Sequence, residues 1–135
     1  MTRREVRDSA FKIIYESLLR DDSIEELYEM AEGIEEIPID DEVKEMVNGV
    51  LSKSDELDSI ISQYSKKRVF ARIAKINIAI LRIAFYEILY NDKIPTNAAV
   101  HEAVVLAQNY SYKEDVGFVN GILGSYSRSQ EGEKQ

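Results

Sequence analysis

The chain has 135 residues, one histidine, no cysteine and a formal net charge of −8. That length suits one compact domain, which buries enough surface to fold without a metal or a disulfide. The lack of cysteine excludes a disulfide framework, a thiol nucleophile and any cysteine-based zinc site. The amino-terminal Met-Thr-Arg-Arg-Glu-Val-Arg has no apolar segment of the secretory type. The most apolar stretch, Ile76 to Leu89, is interrupted by Asn77, Arg82 and Glu87. It is shorter than the roughly 20 apolar residues of a membrane span. These features predict a soluble, cytoplasmic protein without a membrane segment.

The signals along the chain are helical nearly throughout. Thr2-Arg3-Arg4-Glu5 has the spacing of a capping box and opens helix 1. Val6, Ala10, Ile13, Ile14 and Leu18 form its apolar stripe, and the helix is expected to stop near Arg20. Ser23-Ile24-Glu25-Glu26 is a second capping box, followed by a stripe of Ile24, Leu27, Tyr28 and Ala31. Gly33 and Pro38 mark the end of that helix and its loop. Acids at Asp40, Asp41 and Glu42 suit the positive end of a third helix, which carries Val43, Met46, Val47, Val50 and Leu51. Ser54 either caps a further helix with Leu57, Ile60, Ile61 and Tyr64 or lies inside a continuation of the third.

A basic connection, Ser65 to Arg68, precedes a helix from about Lys75 to Tyr90. That helix is apolar on nearly every side, so it is expected at the centre of the fold. Pro95 and Thr96 begin the next helix, with Val100, Ala103, Val104 and Ala107 inward. The last helix carries Phe118, Val119, Ile122 and Leu123, and Gly117 with Gly121 suggests a smooth patch for another helix. Residues 128–135 are polar and read as a flexible tail after a single domain over 1–127. The fold class is therefore all-α, with about seven helices in two small bundles around the apolar helix.

The charge is unevenly spread. Residues 21–58 hold 15 of the 25 acids and only two bases, whereas Ser59 to Tyr86 holds six bases and no acid. One acidic and one basic face follow, and an RNA would respond to the local basic face, because exposed charges are screened beyond about 8–10 Å. The plainer alternative is a solvated helical surface.

No catalytic constellation emerges. His101 lacks the second histidine that a zincin motif needs, since position 105 is Val105. No strand precedes the Gly117–Gly121 pair to make a phosphate loop, and no carboxylate is isolated in an apolar setting. No cofactor, metal ligand or enzymatic activity is expected. Three groups remain. Arg3, Arg4 and Arg7 oppose the helix dipole slightly, which hints at phosphate binding or at stacking on unpaired bases. Lys66, Lys67, Arg68, Arg72 and Lys75 form a basic connection. Arg82 and Tyr86, four apart, share a face of the apolar helix beside Glu87.

These residues, taken together, resemble the NusB family of bacterial transcription antitermination factors. Leu81-Arg82-Ile83-Ala84-Phe85-Tyr86-Glu87 resembles the family's central motif. Ala99-Val100-His101-Glu102-Ala103-Val104-Val105-Leu106-Ala107 after Ile94-Pro95 is similar to its "INEAIELA" helix. Phe118-Val119-Asn120-Gly121-Ile122-Leu123 is close to its "FVNGVL" signature, and Arg3, Arg4, Arg7, Ala10 and Tyr15 fit its first helix. Residues 21–58 share only helical character and acidity.

The resemblance implies two roughly perpendicular helical bundles and a non-enzymatic protein. It implies that this protein pairs with NusE, a small-subunit ribosomal protein, to bind boxA RNA in ribosomal RNA transcripts. It further implies loading onto the RNA polymerase elongation complex with other Nus factors. RNA contacts carry over to Arg3, Arg4 and Arg7, and then to Lys66, Lys67, Glu114 and Phe118. Arg82, Tyr86 and Glu87 carry over to partner binding or to orienting their helix, and Asn120 to helix packing or capping. Position 117, often larger in the family, is glycine here, which removes any contact from that side chain. Two rivals are an acidic helical adaptor that binds only proteins and the RNA-binding appendage of a ribosomal RNA methyltransferase. The second requires a cofactor-binding α/β domain that these 135 residues do not contain.

Overall fold

The computed structural model describes residues 1–133. Seven α-helices follow one another: α1 (Arg3–Leu19), α2 (Ile24–Gly33), α3 (Asp41–Ser52), α4 (Ser54–Tyr64), α5 (Lys75–Tyr90), α6 (Thr96–Tyr110) and α7 (Val116–Glu133). Short 3₁₀ turns at Phe70–Arg72 and Lys113–Asp115 lead into α5 and α7. No strand occurs among the described residues.

Both capping boxes form. Thr2 Oγ1 accepts the Glu5 N–H at 3.1 Å while Glu5 Oε1 accepts the Thr2 N–H at 2.9 Å. Ser23 and Glu26 make the same reciprocal pair. Asp40 caps α3 by accepting the Val43 N–H at 2.9 Å. The stretch 41–64 is two helices, broken at Lys53, whose backbone sits at φ −111° and ψ 14°. The break does not use Ser54 as a cap, because its hydroxyl donates back to the Leu51 carbonyl at 2.9 Å. Helix α7 runs on through Glu133, so residues 128–133 of the expected tail are helical. Residues 134 and 135 of that tail lie outside the described residues.

Helix α5 is the centre that its composition predicts. Every residue from Asn77 to Phe85 is buried. It packs against α1 and α3 on one side and against α4 and α6 on the other. Helices α1, α2 and α3 form one group with α5, whereas α4, α6 and α7 form the second. One hydrophobic cluster joins both, from Phe11 and Ile14 through Leu57, Ile80 and Phe85 to Leu123. Within the first group, α3 and α5 meet closely at Gly49. A methyl group there would come within 2.1 Å of the Tyr86 hydroxyl oxygen, so only glycine admits the ring in this position.

Candidate nucleic-acid interface

The arginine-rich start of α1 is mostly built into the fold. The Arg7 side chain is 5% exposed, and Nε and Nη2 donate to the two carboxylate oxygens of Glu87, both at 2.7 Å. Its Nη1 also donates to Glu102 at 3.2 Å. Arg4 grips Glu102 with Nε and Nη2 at 2.9 and 2.8 Å, but its side chain remains 65% exposed. The hydrogen bond from Arg4 holds the Glu102 carboxyl below the usual glutamate range, against the opposing effect of burial.

This arrangement corrects two of the expected contacts. Arg7 is a buried ion-pair partner, with its fork turned inward. Glu87 is 1% exposed and has no surface to offer a partner. A charge inside a helical core persists only when paired, and these two residues pair with each other across 80 positions. Arg82 is likewise engaged, donating to both oxygens of Asp58 at 2.8 and 2.7 Å. It faces α4 and does not share a free polar stripe with Tyr86, which turns toward Gly49 of α3. Tyr86 is half-buried, 5.5 Å from the Tyr90 ring. With the exposed Arg3, Glu42, Glu45 and Asp92 it lines a cavity of about 650 Å³ of mixed charge.

A second cavity is basic. It measures about 580 Å³ and is lined by Lys66, Lys67, Arg68 and Arg128, with Glu114 as its one acid and Tyr64 and Phe118 as its aromatic members. Lys66 and Lys67 are exposed on the connection between α4 and α5. Ser65 Oγ donates to the Arg68 carbonyl at 2.6 Å and closes that connection into a turn. The Arg68 guanidinium carbon lies 4.2 Å from the centre of the Phe118 ring. Its Nη2 donates to Asp115 Oδ1 at 2.9 Å.

Asn77 Nδ2 donates to the other Asp115 oxygen at 3.0 Å, and Ser111 Oγ donates to Asn77 Oδ1 at 2.5 Å. Gly117 and Gly121 lie on the cavity wall with nothing within 4 Å of a would-be Cβ. No helix packs on them, so the smooth patch faces open space. Asn120, expected to pack or cap, is exposed.

The structure thus brings Lys66, Lys67, Glu114 and Phe118 together as expected and leaves Arg3 and Arg4 elsewhere, lining no part of this groove. Sequence reasoning missed Arg68 and Arg128 as groove residues and Asp115 beneath them. Arg68 lay within the basic run, but its distinction comes from partners 47 and 50 positions away. His101 is exposed. Among the described residues no three His, Asp or Glu side chains are grouped to hold a metal ion, and no helix is long and apolar enough to cross a membrane.

The seven-helix fold has counterparts among solved structures of NusB proteins. The model of the NusB family matches residues 4–128, and the chain belongs to that family. The transcription antitermination protein NusB of Acetivibrio thermocellus is 40% identical over 131 residues, covering 92% of this chain and 87% of that protein. The solved structure of T. maritima NusB is 29% identical, with a TM-score of 0.78 over 95% of this chain and 92% of that one. The fold also matches, at 24% identity and a TM-score of 0.80, a chain in a crystal structure of antitermination factors NusB and NusE with double-stranded RNA. That match covers 94% of this chain and 96% of that one.

Proposed function

We propose that this protein binds boxA-type RNA together with NusE and acts in transcription antitermination at ribosomal RNA operons. The observation that carries this reading is Arg68 laid over Phe118 in a groove flanked by Lys66, Lys67 and Arg128. Lysines hold phosphates as point charges and steer association. An aromatic ring beside a guanidinium plane offers stacking surface to an unpaired base. Glu114, exposed on the rim, accepts from a base amino group. Arg3 and the free part of Arg4 form a separate cationic contact for the RNA path.

Tyr86 and the acids beside it fit a basic partner such as a ribosomal protein, and Arg82 and Glu87 orient α5 behind that surface. NusE adds positive charge to a protein whose own net charge is −8, so RNA affinity is weak alone and higher in the pair. The complex joins the RNA polymerase elongation complex with other Nus factors, in the cytoplasm.

The test is fluorescence anisotropy of labelled boxA RNA against scrambled RNA, with this protein alone and with NusE. The expected result is preference for boxA that tightens with NusE and weakens steeply with salt. Absence of any RNA preference in both conditions would leave the protein-only adaptor, which the net charge of −8 favours.

A further inference from the structure

The cation of the basic groove does not stand on its loop alone. We infer that Asp115 is a positioning residue for RNA binding: it holds Arg68 over Phe118, and buried Asn77, itself bonded by Ser111, holds Asp115. The inference rests on the reading of this groove as an RNA site. Both Asp115 oxygens are used, one by Arg68 at 2.9 Å and one by Asn77 at 3.0 Å. Asn77 is fully buried in the first turn of α5, so a rotation of Asp115 would leave a buried amide donor unpaired. The Ser111 hydroxyl fixes the amide from its other end. The chain of donors runs one way: Ser111 to Asn77, with Asn77 and Arg68 both to Asp115. It ties the carboxy-terminal cap of α6, the start of α5, the turn before α7 and the basic loop to one point.

The consequence for binding has a definite sign. Without Asp115, Arg68 is a long side chain on a loop, with many rotamers to lose when RNA arrives. With it, the stacked pair is ordered in advance. Simple charge counting points the other way, because a carboxylate this close lowers the local positive potential, and neutralising it would tighten an anionic ligand. Asp115→Asn separates the two. An asparagine puts an NH2 group where one of the two carboxylate oxygens stands, so either Arg68 or Asn77 then faces another donor.

The experiment titrates labelled boxA RNA, with NusE present, against wild type, Asp115→Asn, Arg68→Ala and the double variant, with a thermal unfolding curve for each. Positioning through Arg68 predicts about fivefold weaker binding for Asp115→Asn and about tenfold for Arg68→Ala, with the double variant no weaker than Arg68→Ala. Equal or tighter binding by Asp115→Asn overturns the assignment, as does a further loss in the Arg68→Ala background. Arg68→Lys covers the case in which Asp115→Asn fails to fold. It keeps the charge on a partly exposed side chain but loses the planar fork, and wild-type affinity there also overturns the assignment. Wild-type protein that binds no RNA overturns the groove reading itself, and this inference with it.

Discussion

Two basic clusters look alike in the sequence and differ in the fold. Arg4 and Arg7 of α1 meet acids from α5 and α6, and Arg7 spends its whole fork on Glu87 and Glu102 inside the protein. The loop cations Lys66 and Lys67 stay in water, and Arg68 uses one nitrogen on Asp115 while its guanidinium carbon lies 4.2 Å from the centre of the Phe118 ring. The difference teaches that a basic motif is a binding surface only where the fold supplies too few acids to consume it. The acids that consume Arg7 sit 80 and 95 positions away, beyond the reach of any local pattern.

Breaking the buried side of this comparison should have the largest effect. Glu87→Ala strands Arg7 as an unpaired buried cation and is expected to cost about 3–5 kcal/mol of stability, measured by urea unfolding. The double replacement Arg7→Met with Glu87→Met should recover most of that loss, since apolar side chains of similar volume replace a buried pair well. A single variant within about 1 kcal/mol of wild type would place Arg7 at the surface after all.

On the open side, Arg68→Ala should leave stability within about 1 kcal/mol of wild type and reduce RNA affinity about tenfold. Lys66→Ala and Lys67→Ala sharpen the contrast through salt. Each should flatten the slope of log K against log salt by about 0.7, the share of one single-strand phosphate contact. An unchanged slope in both would remove these lysines from the RNA path.

The smallest effect is a pH dependence at Glu102, within the α1 cluster. Glu102 has its carboxyl held down, chiefly by the Arg4 hydrogen bond. A lowered folded-state value means stability that is present above the unfolded value and lost as pH falls through the folded one. Glu102→Gln should therefore lose less stability than wild type on acidification below the ordinary glutamate range, and parallel losses in a series of unfolding curves would contradict this.

Local rules carried the elements well. Capping boxes at Thr2 and Ser23, the acids at Asp40 and the all-round apolar character of α5 each declare themselves within a few residues. The break at Lys53 was not legible, because neither proline nor glycine marks it and the chain turns to let α4 pack on α5. Polar composition after Ser127 suggested a tail, yet Ser129 shares a 2.8 Å hydrogen bond with the Tyr64 hydroxyl of α4. For the site, Phe118 and the two lysines were legible from the family motif and the basic run. Glu87 carried a signal of its own, since an acid on a buried helix requires a cation from elsewhere. Asp115 and Asn77 carried none, being ordinary polar residues until the fold brings them under Arg68.

The most direct test of the account is the affinity of boxA RNA, with NusE, for Arg68→Ala beside wild type, with unfolding curves for both. The account predicts about tenfold weaker binding from a protein of unchanged stability. Wild-type affinity in the variant would contradict it and move the RNA to another face.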